Sequence, residues 1–262
     1  MDRAVGRFSL NKQANTLWNF NYRSIIVAVS AYRHEVCKLS YGISVYNDSQ
    51  YSQIDSVTPR LCVIHSGSYW GQAYVVVEFP APVTTPEPPC VFIRPAEGGA
   101  ILHGSMNING GPGNWTGFSI ALTNITHITS GTWFAAVFRS TKPSTYGMRI
   151  WDENGVEIYD TASPAVIVST ASHLWGYSGR VQLSIGFAYT WICQLPGSIG
   201  VNDHFMINPF SRWMLTSHVS DSIRTGVTMN PTSRQLILYA VGATLPYTEI
   251  GHLSAVIARI KR

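Results

Sequence analysis

Along the whole chain, short runs of β-branched and aromatic residues alternate with clusters of Gly, Pro, Asn and Ser. The clearest apolar runs are Ser24–Ser30, Leu61–Ile64, Tyr74–Phe79, Thr132–Phe138, Ala165–Val168, Arg180–Ile185 and Gln235–Val241. Each has the length of a strand and is bounded by turn-forming residues. Helix-length stretches with apolar residues three and four apart are nearly absent. With no helical crossovers to join parallel strands, successive strands pair antiparallel, and the pattern predicts an all-β protein of the sandwich class. The longest clean apolar run, Ile25–Val29, falls far short of the roughly 20 residues of a spanning helix, so no membrane span is expected. The Gly-rich stretch from Gly98 to Gly113 lacks the Gly-Lys-Ser/Thr ending of a phosphate loop and reads as a long exposed connection.

A second pattern lies over the first. Tyr41–Gly71 aligns without a gap on Tyr146–Gly176, 105 positions later. Tyr41/Tyr146, Gly42/Gly147, Asp55/Asp160, Pro59/Pro164, Val63/Val168, Trp70/Trp175 and Gly71/Gly176 are identical, where chance at average residue frequencies gives roughly two such matches. A weaker echo pairs Val91–Pro95 with Phe205–Pro209. The expected architecture is therefore two tandem antiparallel β-sandwich modules from an internal duplication, at 20–131 and 132–262, behind an arm at 1–19 that docks on a neighbouring protein. Each copy reads as a hairpin followed by a third strand. In the second copy Asn154-Gly155 supplies the positive φ angles of a tight turn. Asp160-Thr161 closes the returning strand through side chain to backbone bonds, and Pro164 begins the next one where no ladder donor is needed. Asp55 and Asp160 are read as turn-closing carboxylates rather than catalytic or Ca²⁺-binding ones, because the two copies fall in separate modules and cannot pair.

The run Tyr146-Gly147-Met148-Arg149-Ile150-Trp151-Asp152-Glu153-Asn154-Gly155, followed by Tyr159-Asp160-Thr161, resembles a β-module of uncharacterised tail proteins of tailed bacteriophages. The first copy departs from that pattern, lacking the turn Gly and carrying Ile54 in place of the aromatic residue before Asp55. The resemblance implies a structural virion protein of the tail tip or tail fibre, assembled in the host bacterial cytoplasm. It implies contacts with other tail proteins, a homo-oligomer (a trimer, by analogy with fibres) and contact with a host cell-surface glycan. It transfers no catalytic residue.

Composition fits that picture. Only 12% of the 262 residues are charged, against about 25% in an average domain, while 45% are hydrophobic. Chains so low in charge and rich in Ser, Thr, Asn, Gly and aromatics suit obligate interfaces, and sugar-binding lectins share the profile. A net charge of +4 with scattered Lys and Arg gives no nucleic-acid footprint. The start, MDRAVGRFSLNKQ, shows no secretory leader, and the expectation is a chain that folds where it is made. Its 4 Cys and 8 His are dispersed without ligand spacing, so neither metal nor cofactor is expected, and the thiols are read as buried and inert. No G-x-S-x-G nucleophile motif occurs.

The expectation is a protein that is no enzyme, with a free carbohydrate-binding lectin and a polysaccharide-degrading enzyme as the rival classes. The scattered carboxylates neither supply nor exclude the pair that a glycosidase needs. For sugar stacking the candidate is Trp115, set in the loop-like Pro112–Gly117. Trp70 and Trp175, recurring with the repeat, are read as anchors of the scaffold.

Overall fold

The computed structural model describes residues 21–22, 25–33, 39–46, 52–55, 59–96, 103–122, 128–141, 145–152, 155–183, 186–210, 214–215, 222–241 and 253–261. The expected arm at 1–19 lies outside the described residues. Among these residues every regular element is a strand, apart from one 3-10 turn at Asn208–Phe210, and no helix is long and apolar enough to cross a membrane.

In chain order the strands begin with β1 (Asn21–Tyr22), β2 (Ile25–Arg33), β3 (Leu39–Tyr46), β4 (Ser52–Asp55), β5 (Leu61–Gln72), β6 (Tyr74–Val83) and β7 (Cys90–Pro95). Next come β8 (His103–Gly111), β9 (Asn114–Leu122), β10 (Ile128–Phe138), β11 (Arg149–Trp151), β12 (Glu157–Asp160), β13 (Val166–Ser172) and β14 (Trp175–Leu183). The last are β15 (Gly186–Gln194), β16 (His204–Met206), β17 (Met214–Leu215), β18 (Ser222–Asn230), β19 (Gln235–Val241) and β20 (Ala255–Ile260). All pairings whose register is defined are antiparallel, as the absence of helical crossovers predicts.

The chain falls into two compact units, one of residues 1–59 with 148–159 and the other of 60–147 with 160–262. These bounds cut across the 20–131 and 132–262 division that the repeat suggests. The first unit holds a four-stranded sheet in the order β1-β2-β3-β4 and the hairpin β11-β12. That hairpin turns as its sequence predicts: Gly155 has φ +78°, and the Val156 amide donates to the Asp152 carboxylate at 2.8 Å.

The second unit is built from one long antiparallel path, β13-β20-β16-β7-β10-β5-β6-β9-β8-β18-β19-β15-β14, with β17 beside β18. Side chains alternate across each strand, so the two faces of the path supply different clusters. On β10, Trp133, Ala135 and Val137 enter the main core, which β6, β9, β15 and β19 supply from the other side with Val77, Phe118, Trp191 and Leu238. Phe134 and Ala136 point the opposite way, into a second cluster with Val63, Phe92 and Ala258. The latter cluster sits inside a closed ring. Strands β13, β20, β16, β7, β10 and β5 pair in succession, and β5 returns to the start of β13 through a bridge between Cys62 and Ala165. The Val63 amide donates to the Pro164 carbonyl at 2.8 Å beside that bridge. Phe92 and Phe134 stack within the ring, centroids 4.6 Å apart. Strands from both halves of the sequence thus share one ring and one main core.

Two irregularities decide which way side chains face. A bulge on β5 sets His65 opposite Ala135 and Val63 opposite Ala136, so Ile64 is the extra residue. It turns His65 onto Phe79 of the main core and leaves Trp70 facing outward. On β6 the ladder to β9 breaks between Glu78 and Val83, where Pro80 and Pro82 have no amide to donate. His65 Nε2–H donates to the Ala81 carbonyl there at 2.8 Å. The expected long connection up to Gly113 is instead strand β8 and a tight turn into β9, with Gly110 and Gly113 at positive φ. Its glycines mark a bulge and a hairpin turn inside regular pairing. Cys62, Cys90 and Cys193 are free, and burial pushes their thiols up.

Candidate functional site

The repeat residues are dispersed rather than gathered. Tyr41 and Gly42 lie in β3 opposite Ala31 and Ser30, and Asp55 ends β4 opposite Ser44. Pro59 is half-buried and Tyr146 is 90% exposed. Gly147 has φ +128°, and a Cβ there would collide with the Thr161 hydroxyl. Asp160 is buried and accepts the Ala162 amide at 2.7 Å, while the Pro164 carbonyl joins β5 to the start of β13. Trp175 is half-buried, with its indole N–H on the Leu253 carbonyl at 2.8 Å and its ring edge-on to Phe210. Trp115 lies in strand β9 rather than in a loop; it packs against the main core and donates to the Thr85 carbonyl at 2.9 Å. A residue so engaged offers little ring face to a sugar.

The groups that the fold does bring together stand at one end of the ring, on the same strand faces as Phe92 and Phe134. Thr132 on β10 pairs with Arg94 on β7, and His204 precedes Phe205, which pairs with Ile93, so it falls opposite Arg94. Residues in register across adjacent strands share a face, and Ser68, opposite Thr132 on β5, extends the same row. One step along the strands, Trp70 lies opposite Ser130 on that face. These residues are far apart in sequence, and antiparallel register alone assembles them. No motif spacing announces such a row.

His204 is held on both sides. A carbonyl only accepts, so Nδ1–H donates to the Asn202 carbonyl at 2.8 Å, and Nε2 accepts the Thr132 hydroxyl at 2.9 Å. Its ring meets Phe134 edge-on, with centroids 5.1 Å apart. Burial is the largest influence on this imidazole and pushes its pKa down; the Asn202 carbonyl pushes up, the Arg94 charge down and Asp203 up, leaving it below the usual value. The ring is therefore neutral at pH 7.

Arg94 clamps the turn leading into β16, its Nη1 donating to the carbonyls of Gly200 and Asp203, both at 2.8 Å. Asp203, only 1% exposed, completes the turn. It accepts the Gly200 amide and the Ser169 hydroxyl, each at 2.7 Å, with Arg259 Nη1 at 4.0 Å. A buried carboxylate this well bonded is a structural tie between β13 and β16, since removing one partner would leave a charge uncompensated.

Trp70 differs from Trp115, Trp133 and Trp175, each of which donates its indole N–H to a backbone carbonyl. It is 67% exposed, and among the described residues its N–H has no partner. Tyr74, Val76 and Ile128 are exposed on β6 and β10 as well. Compared with known protein families, curated proteins and solved structures, the chain matches none of them.

Proposed function

We propose that this chain is a structural component of a bacteriophage tail, at the tip or in a fibre, acting through surface contact with neighbouring subunits and host rather than through turnover. The observation that carries the reading is the set of large apolar side chains, Trp70, Tyr74, Val76 and Ile128, held outward on paired strands of a rigid antiparallel framework. Rigid strands present such groups at little entropic cost, as a lasting interface needs. The resemblance of Tyr146–Thr161 to tail-protein modules points the same way.

Strand boundaries support the internal duplication behind that resemblance. β3 and β11 end, β5 and β13 begin, and β4 and β12 both begin and end, 105 positions apart. Two copies of one module, since diverged in their pairing, would leave such a trace. An edge supports assembly: among the described residues β14 pairs with β15 alone, and an unpaired edge invites a partner unless it is blunted. Its own blunting is local, a bulge between Tyr177 and Gly179 with Gly179 at φ +120°.

The test is the particle. The chain should be found at fixed copy number in purified tails, and recombinant protein should sediment as an oligomer at micromolar concentration. A strict monomer that is absent from particles would sink the proposal.

A further inference from the structure

We infer that the exposed surface around Trp70, at the end of the ring, is a binding site for an acidic saccharide, with a sugar ring stacked on Trp70 and its carboxylate directed to Arg94. This rests on the host-contact part of the function proposed above and moves the stacking residue from Trp115 to Trp70.

The site follows from register. Trp70 and Ser130 form one row, and Ser68, Thr132, Arg94 and His204 form the next, all on one face. With strands about 4.8 Å apart and residues two apart about 6.7 Å, Trp70 and Arg94 are separated by roughly 12 Å, the span of a short oligosaccharide. Sugars bind by an apolar face with hydroxyls at the rim. Trp70 supplies an open face and an unpartnered N–H, and Ser68 and Ser130, both exposed, supply hydroxyls beside it.

Arg94 is the charge of its row, and the exposed Glu78 of the same face stands three strands away on β6. Nη1 of Arg94 is committed to two carbonyls, which fixes the guanidinium, and among the described residues its remaining N–H groups have no partner. A fixed planar fork suits a carboxylate. Asp203, the nearest acid, is buried and already accepts Gly200 and Ser169. His204, held neutral by burial, accepts the Thr132 hydroxyl and leaves Arg94 as the cation of the row.

A protein occupant fits less well. Ile128, Tyr74 and Val76 extend this face away from Arg94, where subunit contact is proposed, whereas the row of Ser68, Thr132 and Arg94 beside Trp70 is polar and suits a saccharide.

The experiment titrates the full chain with trigalacturonate, sialyllactose and the neutral maltotriose, reading tryptophan fluorescence and calorimetry. Saturable binding of either acidic probe is expected, weakened by added salt, with maltotriose much weaker. Trp70→Ala, at an exposed position, should lower affinity up to about tenfold while leaving the unfolding midpoint unchanged. The inference is overturned if neither acidic probe saturates by about 10 mM, if maltotriose binds equally, or if Trp70→Ala binds as well as the parent. These readouts use the isolated chain, so a negative result here leaves the particle test standing, and the converse also holds.

Discussion

The aligned segments Tyr41–Gly71 and Tyr146–Gly176 each pair two strands as neighbours, β3 with β4 and β11 with β12, and then part company at their tryptophans. In the first, β5 runs unbroken from Leu61 to Gln72 along β10, and Trp70 emerges exposed. In the second, the chain breaks after Ser172 and restarts at Trp175 in β14, where the indole packs inward and is bonded to the Leu253 carbonyl. The glycine that follows each Trp tells the same story. A Cβ on Gly71 would collide with the Tyr74 carbonyl, because β5 turns tightly into β6 through Ala73 at φ +63°. A Cβ on Gly176 would meet nothing nearer than the Ile192 carbonyl oxygen at 3.9 Å. Identical residues therefore do opposite work: in the first segment Gly is required and Trp is free, while in the second Trp is required and Gly is free. Identity between the aligned segments does not by itself report a common role.

Substitution separates the two. Trp175→Ala removes a half-buried ring and leaves the Leu253 carbonyl without its donor, so it should cost about 2–4 kcal/mol in urea unfolding, against less than about 0.5 kcal/mol for Trp70→Ala. Equal losses would erase the contrast. Gly71→Ala should cost about 1–3 kcal/mol through forced backbone displacement, while Gly176→Ala stays within about 0.5 kcal/mol. A stable Gly71→Ala protein would mean that the β5–β6 turn is looser than described. Trp175→Phe, which keeps a six-membered aromatic ring but loses the N–H together with the rest of the pyrrole ring, should cost about 1–2 kcal/mol. An unchanged midpoint would show that the bond to Leu253 contributes nothing.

The smallest effect lies in the ring. His204 titrates lower when folded than its ordinary 6.5, so the unfolded chain takes up the proton first as pH falls. Its neutral, bonded form contributes fully above about 6.5, and that contribution declines as pH drops below 6.5 towards the folded value. Unfolding midpoints measured from pH 8 to 5 should fall, and His204→Gln should flatten the slope. A parallel slope in the variant would assign the dependence to other groups.

Much of the fold was readable from local pattern. Gln235–Val241 is a strand end to end, and Tyr74–Phe79 and Thr132–Phe138 lie within β6 and β10. These runs alternate and are β-branched, so periodicity alone identifies them. What stayed hidden has a local disguise. β8, His103–Gly111, is rich in Gly and Asn and pairs in spite of turn-like composition, and the latter half of β5, His65–Gln72, is polar because its outer face meets solvent. The row of Thr132, Arg94 and His204 has no signature at all, for it exists only once β7, β10 and β16 are in register. Trp115 carries the local signature of a loop residue because Pro112-Gly113 beside it marks a turn, yet that turn spans only two residues and Trp115 is already in β9.

The ring also carries an instruction about timing. Its members come from β5 near the first quarter of the chain and from β20, which sits between β13 and β16 and is made of residues 255–260. A ribosome adding about 5–20 residues per second delivers β20 long after β5, β7 and β10 have left the tunnel. Until then the Phe92 and Phe134 rings lack a wall, so the nascent protein waits with an apolar trough open to solvent. Synthesis speed and chaperone supply, rather than the stability of the finished molecule, would then govern how much of this protein reaches its folded state.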